Sequence, residues 1–188
     1  SFRALRIAAQ AQLDLGEIAD AERTLSSALA KLQAARPAEA AELVEAVAAL
    51  SLLTRVPDFT AREGRNADTD FRALMQLLGD ARRLDRFDAD APLSEAAILF
   101  EKDNLPEAIQ SLTAALSLFP RSARAWALFG AVTCRQFDFK KALEVAKRLD
   151  NIAGTENSLF GSLLAAKVRL RQTDPEGAEE VLATAYAA

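Results

Sequence analysis

The sequence predicts an all-α fold, a right-handed α-solenoid of antiparallel helix hairpins with about ten helices. The chain of 188 residues is 51% apolar but only 6% aromatic, and this Ala- and Leu-rich composition favours helices over strands. Apolar positions recur at helical spacing along almost the whole chain. Turn-forming residues interrupt the pattern at intervals that fit short connections between helices.

Turn and capping residues set the expected helix boundaries in the first half of the chain. Gly16 ends the first helix, and Pro37 ends the second because the residue before a proline is disfavoured in the α region. Residues 57–68 lack periodicity and are expected to form a loop, after which Thr69 or Asp70 caps the next helix. The expected helices are residues 2–15, 19–35, 37–55 and 71–84.

The second half of the chain is divided more regularly. Pro106 and Pro175 stand at first helical positions, where a missing N–H costs nothing. Ser122, Asp138 and Asp174 are expected N-caps. After a polar break over residues 85–92, the expected helices are residues 93–102, 106–119, 123–136, 139–151, 158–171 and 175–188.

A pattern of small and packing residues repeats with a period near 34 residues. Ala108, Ala142 and Ala178 lie 34 and 36 residues apart, and packing residues follow each of them four and seven positions later. The same spacing begins at Ala21. A small residue stands twelve positions before each of the four alanines, where it lets two antiparallel helices approach closely. These small residues are Ala9, Ala96, Gly130 and Ala166.

The pattern resembles the tetratricopeptide repeat, a helix–turn–helix unit with W-x2-L-G-x2-Y followed by A-x3-F-x2-A. The best match contains Trp126, Phe129, Gly130 and Ala142. In that unit, Gly130 is expected to face Ala142 and Trp126 to be largely buried. The resemblance implies a single superhelical domain of residues 1–188, with repeats near residues 2–35, 89–122, 123–158 and 159–188 and a divergent unit at 38–84. The alternatives are a generic helical bundle and other helical repeats, Sel1-like or HEAT-like.

The composition leaves little for catalysis. The chain has no His and one Cys, so it lacks a Ser–His or Cys–His pair and the usual zinc ligands. Cys134 is expected to be a buried small residue. Asp85, Asp88 and Asp90 share a loop without the spacing of a calcium site, and we expect them to be solvated or to cap helices. We therefore expect no enzyme, no cofactor and no metal.

The charge and hydropathy of the chain exclude two further classes of partner. The net charge is −4, and this acidity disfavours nucleic acid as a partner. No segment approaches the length of a membrane span. We expect a soluble excerpt of a longer bacterial protein, with a cytoplasmic location slightly favoured.

What remains is the surface of the first helices, which lines a concave groove in the family that the chain resembles. Positions carried over from the family pattern predict a peptide groove lined by Arg3, Arg6, Gln10, Leu93, Ala97, Phe100, Arg124, Ala127, Ala131, Arg135, Phe160, Leu163, Lys167 and Arg171. The carboxylate clamp that binds chaperone C-termini is not matched, because Ser94 and Leu128 occupy two of its positions.

The resemblance implies a non-catalytic scaffold that binds a peptide or helix of a partner protein in this groove. Positive groove residues outnumber negative ones, which suits an acidic partner segment; alternatively, these long side chains cover apolar surface and pair with neighbouring carboxylates. A module appended to a larger enzyme or regulator is a further possibility. Another is a homodimer formed through exposed repeat ends.

Overall fold

The computed structural model describes residues 1–56, 67–152 and 155–187, and all regular structure in these ranges is helical. The all-α prediction is therefore confirmed. Ten α-helices are described, and a 3₁₀ helix (Leu52–Arg55) follows the third. They are α1 (Phe2–Asp14), α2 (Ile18–Ala34), α3 (Ala40–Ser51), α4 (Ala67–Leu84), α5 (Asp90–Glu101), α6 (Leu105–Leu118), α7 (Ala123–Arg135), α8 (Phe139–Asn151), α9 (Thr155–Arg171) and α10 (Pro175–Ala187).

Several helices start earlier than the sequence predicted. Helix α4 begins at Ala67, so Thr69 and Asp70 lie inside the helix and do not cap it. Helix α5 begins at Asp90 because Pro92 fits within a first helical turn, where a missing N–H costs nothing. Helix α9 starts at Thr155, ahead of the predicted residue 158. The predicted loop of residues 57–68 lies outside the described residues up to residue 66.

The predicted N-caps of three helices are confirmed. The Ser122 hydroxyl accepts a hydrogen bond from the amide of Ala125 at 3.2 Å, and the Asp138 carboxylate accepts one from Lys141 at 3.1 Å. The Asp174 carboxylate accepts the amide hydrogen of Gly177 at 2.9 Å. Each cap satisfies a backbone donor that has no partner within its helix.

The chain divides into an N-terminal unit, Ser1–Ile98, and a C-terminal unit, Leu99–Ala188. In the N-terminal unit, α1 packs on α2 and α3, and α3 packs on α4. Leu25, Leu43, Val47 and Leu78 are almost fully buried at its centre. A smaller cluster joins Phe2 to alanines of α2 and α3. The single array of residues 1–188 stays a prediction.

In the C-terminal unit, α7 packs on α6, α8 and α9, and α9 also packs on α8 and α10.

The four alanines that open the repeat pattern have at most 3% of their surface exposed. The small residues twelve positions earlier are buried as well. The repeated small residues therefore lie in helix–helix contacts, as their spacing predicted. The four alanines are Ala21, Ala108, Ala142 and Ala178.

Four hairpins turn through the same backbone conformation. Gly16, Asp103, Phe137 and Thr173 have positive φ angles of 77°, 61°, 63° and 61°, and each lies five residues before a repeat alanine. At the third turn, the amide of Phe137 donates to the carbonyl of Cys134 at 3.2 Å. The amide of Asp138 donates to the carbonyl of Thr133, five residues earlier, at 3.0 Å. The other three turns have the same pair of bonds, which is the Schellman arrangement of a helix C-terminus.

Gly130 has contacts that its repeat unit alone did not indicate. The atoms closest to a Cβ at this position belong to Leu164 and Val145, and the expected contact with Ala142 stays a prediction. Trp126 has intermediate exposure. Its indole N–H donates to the carbonyl of Pro120 at 2.9 Å, and a tryptophan with its polar edge satisfied in this way stays near the surface.

Candidate functional site

The predicted groove residues lie mainly on accessible surface. Thirteen of the fourteen are partly or fully exposed. Leu93 is the exception, with 9% of its surface exposed, so it belongs to the packing of the N-terminal unit and offers little to a ligand. The two units are described separately below.

In the N-terminal unit, α1 and α3 present side chains of opposite charge. The Arg6 guanidinium pairs with the Glu45 carboxylate at 2.7 Å, and Gln10 donates a hydrogen bond to Asp14 at 2.7 Å. Beside them lies a cavity of about 380 Å³. It is lined by Ser1, Phe2, Arg3, Ala41, Glu42, Val44, Glu45 and Asp90.

Glu42 and Glu45 are the residues of this surface that the sequence did not predict. They lie on α3, the first helix of the divergent unit, for which no repeat register was available. The sequence pattern of α3 did contain a signal for them. Its apolar residues mark one buried side of the helix, and the two glutamates lie three residues apart on the less buried side. They place two negative charges beside Arg3 and Arg6, so the excess of positive charge expected for the groove as a whole is not found in its N-terminal part.

In the C-terminal unit, Arg135 is held at the end of α7 by three contacts. Its Nε lies 2.9 Å from a carboxylate oxygen of Asp103, and its Nη1 donates to the carbonyl of Phe100 at 3.3 Å. The guanidinium also lies 5.0 Å from the Phe100 ring centroid. For Arg6 and Arg135, the alternative that these side chains pair with neighbouring carboxylates is therefore confirmed.

Lys167 and Arg171 of α9 lie near the C-terminal end of α7. Burial raises the pKa of the Cys134 thiol above its ordinary value, and the positive charges of Lys167 and Arg171 oppose part of that rise. The Arg171 guanidinium lies 5.8 Å from the centroid of the Phe137 ring, and 65% of the Phe137 surface is exposed. Cations and an exposed aromatic ring thus share one edge of this unit.

The other predicted residues of the C-terminal unit surround this edge or lie further back along the helices. Arg124 is exposed at the start of α7, and Ala127 and Ala131 are half-buried. On α9, Phe160 and Leu163 expose 39% and 55% of their surface. The exposed faces of α7 and α9 therefore combine positive charge with apolar area.

The aspartate-rich loop is a capping element. Asp85 accepts the amide hydrogen of Phe87 at 2.8 Å, and Asp88 accepts that of Asp90 at 2.7 Å, as the sequence predicted. Across the described ranges, no three His, Cys, Asp or Glu side chains gather in a way that could hold a metal ion. In the same ranges, every helix is too short or too polar to cross a membrane.

Comparison with known proteins connects this arrangement to solved structures. MamA from Desulfovibrio magneticus RS-1, from residue 41 to its end, is 16% identical, with a TM-score of 0.57 over 99% of this chain and 93% of that one. A MamA double mutant is 16% identical, with a TM-score of 0.56 over 99% of this chain and 93% of that one. A tetratricopeptide repeat protein from Parabacteroides merdae is 15% identical, with a TM-score of 0.59 over 99% of this chain and 66% of that one.

The fold is that of tetratricopeptide-repeat proteins. No family model and no curated protein matches the sequence. In the repeat register that the sequence predicts, α1, α3, α5, α7 and α9 are the first helices of the hairpins, and the fourteen predicted groove residues lie on α1, α5, α7 and α9.

Proposed function

We propose that the chain is a non-catalytic scaffold that holds a peptide or a helix of a partner protein on the first helices of its hairpins. One observation carries the proposal. The repeat alanines are buried, whereas thirteen of the fourteen predicted groove residues keep accessible surface. The repeat alanines therefore pack the helices against one another, whereas charged and large apolar side chains of the first helices remain accessible to a partner segment.

The chemistry of the described residues agrees with a binding role. A cavity of about 380 Å³ lies between α1, α3 and α5 of the N-terminal unit, with Phe2 and Val44 as its apolar part. Arg3, Glu42 and Asp90 also line it. In pockets with a few polar groups around an apolar floor, the polar groups orient a bound segment through hydrogen bonds, and burial of its apolar surface contributes to the affinity.

Self-association is a second candidate, favoured by the exposed leucines of α9. Leu159, Leu163 and Leu170 expose 45%, 55% and 57% of their surface. Leucines on one helix face can be covered by a second copy of the chain. Sedimentation of the chain alone distinguishes the two candidates, since a scaffold for other proteins stays monomeric at concentrations where self-association gives dimers.

The proposal is tested with peptides selected by display against the chain. Their affinity is then measured for a triple charge reversal, Arg124→Glu, Arg135→Glu and Lys167→Glu, on the first helices. We expect weaker binding and a flatter salt dependence, because exposed charges act over a screening length of about 8 Å. Circular dichroism checks that the helix content is unchanged.

The control reverses exposed charges on second helices, Arg23→Glu, Lys140→Glu and Lys147→Glu. It changes the net charge by the same amount and should leave affinity as it was. A loss in the control alone would place the binding surface on the second helices. Equal losses in both variants would show that affinity follows the net charge and not the first helices, and either result would refute the proposal.

A further inference from the structure

We propose that Phe137, together with Lys167 and Arg171, forms an anchor site in the C-terminal unit for an acidic amphipathic helix of a partner protein. The inference rests on the proposed function and specifies its ligand at one edge of the predicted groove. Three observations lead to it: an exposed aromatic residue in a left-handed turn, two cations that have no carboxylate partner among the described residues, and apolar side chains at helical spacing.

Phe137 occupies a backbone conformation that suits glycine. Its φ of 63° is left-handed, and a bulky residue is rarely found there because its Cβ crowds the backbone. The equivalent turn of the first hairpin uses Gly16. The ring of Phe137 is also 65% exposed, so it contributes little to the core. Asp103 and Thr173 share this conformation at the equivalent turns, so what distinguishes Phe137 is a large apolar ring left exposed there, where it can serve something other than stability.

Lys167 and Arg171 differ from the other cations at this end of the unit. Arg169 pairs with Asp174 at 3.0 Å, and Arg135 pairs with Asp103 at 2.9 Å. Within the described ranges, no carboxylate lies in ion-pair contact with Lys167 or Arg171. Their positive charge is therefore available to a ligand, and it lies beside the Phe137 ring, 5.8 Å from the Arg171 guanidinium.

The apolar part of the surface has the spacing of a helix. Leu163, Lys167 and Leu170 follow one another at intervals of four and three residues, so they lie on one face of α9. The two leucines expose 55% and 57% of their surface. A partner helix with a leucine face bordered by carboxylates complements this pattern, apolar against apolar and negative against positive.

The probe is a fluorescein-labelled amphipathic helix with one leucine face flanked by glutamates. Its counterpart carries lysine at every glutamate and keeps the leucines. Fluorescence anisotropy with the full chain should show that the acidic helix binds at least roughly tenfold more tightly. That preference should shrink as salt is added.

The decisive variant is Phe137→Gly. Removing an anchoring ring should weaken binding of the acidic helix by roughly tenfold, while the relief of backbone strain keeps the melting temperature equal or raises it. A merely structural Phe137 would instead lower the melting temperature. Thr173→Gly is the matched control, because it relieves the same strain at the next hairpin and should leave binding unchanged. Phe137→Asn repeats the test with a residue that tolerates this conformation.

The charge test compares Lys167→Glu/Arg171→Glu with Lys140→Glu/Lys147→Glu on α8. Only the first pair should abolish the preference for the acidic helix. Equal or tighter binding of the lysine-bearing helix would refute this inference. So would a Phe137→Gly variant that binds the acidic helix as tightly as the original chain. Either result leaves the proposed function standing. If neither helix binds, or if the chain binds phosphatidylserine vesicles or duplex DNA instead, the inference is wrong. Failure of the display-selected peptides to respond to the first-helix triple variant would separately refute the proposed function.

Discussion

Gly130 of α7 lies directly against Leu164 of α9, so that a methyl group added at Gly130 would overlap the leucine side chain. The contact joins neighbouring hairpins of the C-terminal unit. Val145 of α8 lies on the same side, 3.1 Å from the position a Cβ would take. The absence of a side chain at Gly130 therefore allows three helices to meet.

Gly130→Leu should overpack this contact and lower the free energy of unfolding by about 1–3 kcal/mol or more. Gly79→Leu is the matched control. Gly79 is exposed on α4 with no atom within 4 Å of an added Cβ, so the better helix former should stabilise by up to about 1 kcal/mol. Urea unfolding of both variants measures the difference. A Gly130→Leu variant as stable as the original chain would contradict the packing described here.

Asp80 should contribute more to stability than an exposed aspartate of the same unit. It is 8% exposed and forms ion pairs with both Arg36 and Arg83. Asp80→Asn should lower the free energy of unfolding by about 1–3 kcal/mol, because the negative charge that pairs with two guanidinium groups is lost at a buried site. Asp20→Asn removes the exposed pair with Arg23 and should cost less than about 0.5 kcal/mol. Similar losses in thermal unfolding would contradict the distinction.

Cys134 should react slowly with thiol reagents in the folded chain. Its side chain is buried, and burial raises the pKa of the thiol, so little of the nucleophilic thiolate is present or accessible near neutral pH. Labelling in native buffer should be much slower than in urea. Lys167→Glu should slow it further by removing a charge that favours the thiolate. Rapid native labelling would show that α7 opens far more readily than its packing indicates.

Asp150 should make stability depend on pH. Partial burial raises the pKa of its carboxyl above the ordinary value of 3.8, so the folded chain binds this proton more tightly than the unfolded chain. The resulting stabilisation is complete below pH 3.8 and is lost as the pH rises through the raised pKa. Relative to Asp150→Asn, the original chain should therefore lose stability over that interval. Parallel pH profiles of the two proteins would contradict the assignment.

The sequence predicted what depends on periodicity within one hairpin. Ala108, Ala142 and their counterparts were placed correctly because helical spacing alone assigns them to a buried face. The partner of Gly130 was missed, since Leu164 belongs to the next hairpin and no local pattern links the two. Glu42 was missed because the α3–α4 unit departs from the repeat pattern. The left-handed turn at Phe137 contradicts residue preference, which predicts glycine or asparagine there.

The four equivalent turns also bear on how quickly the chain folds. Each hairpin is closed by backbone bonds between residues only three to five positions apart, so the entropy lost in bringing its two helices together is small. Contacts of such low sequence separation lower the relative contact order, and helical proteins rich in them fold faster than proteins dominated by non-local pairings. Each hairpin can therefore act as a nucleus, and a substitution that slows one should leave the others able to initiate folding.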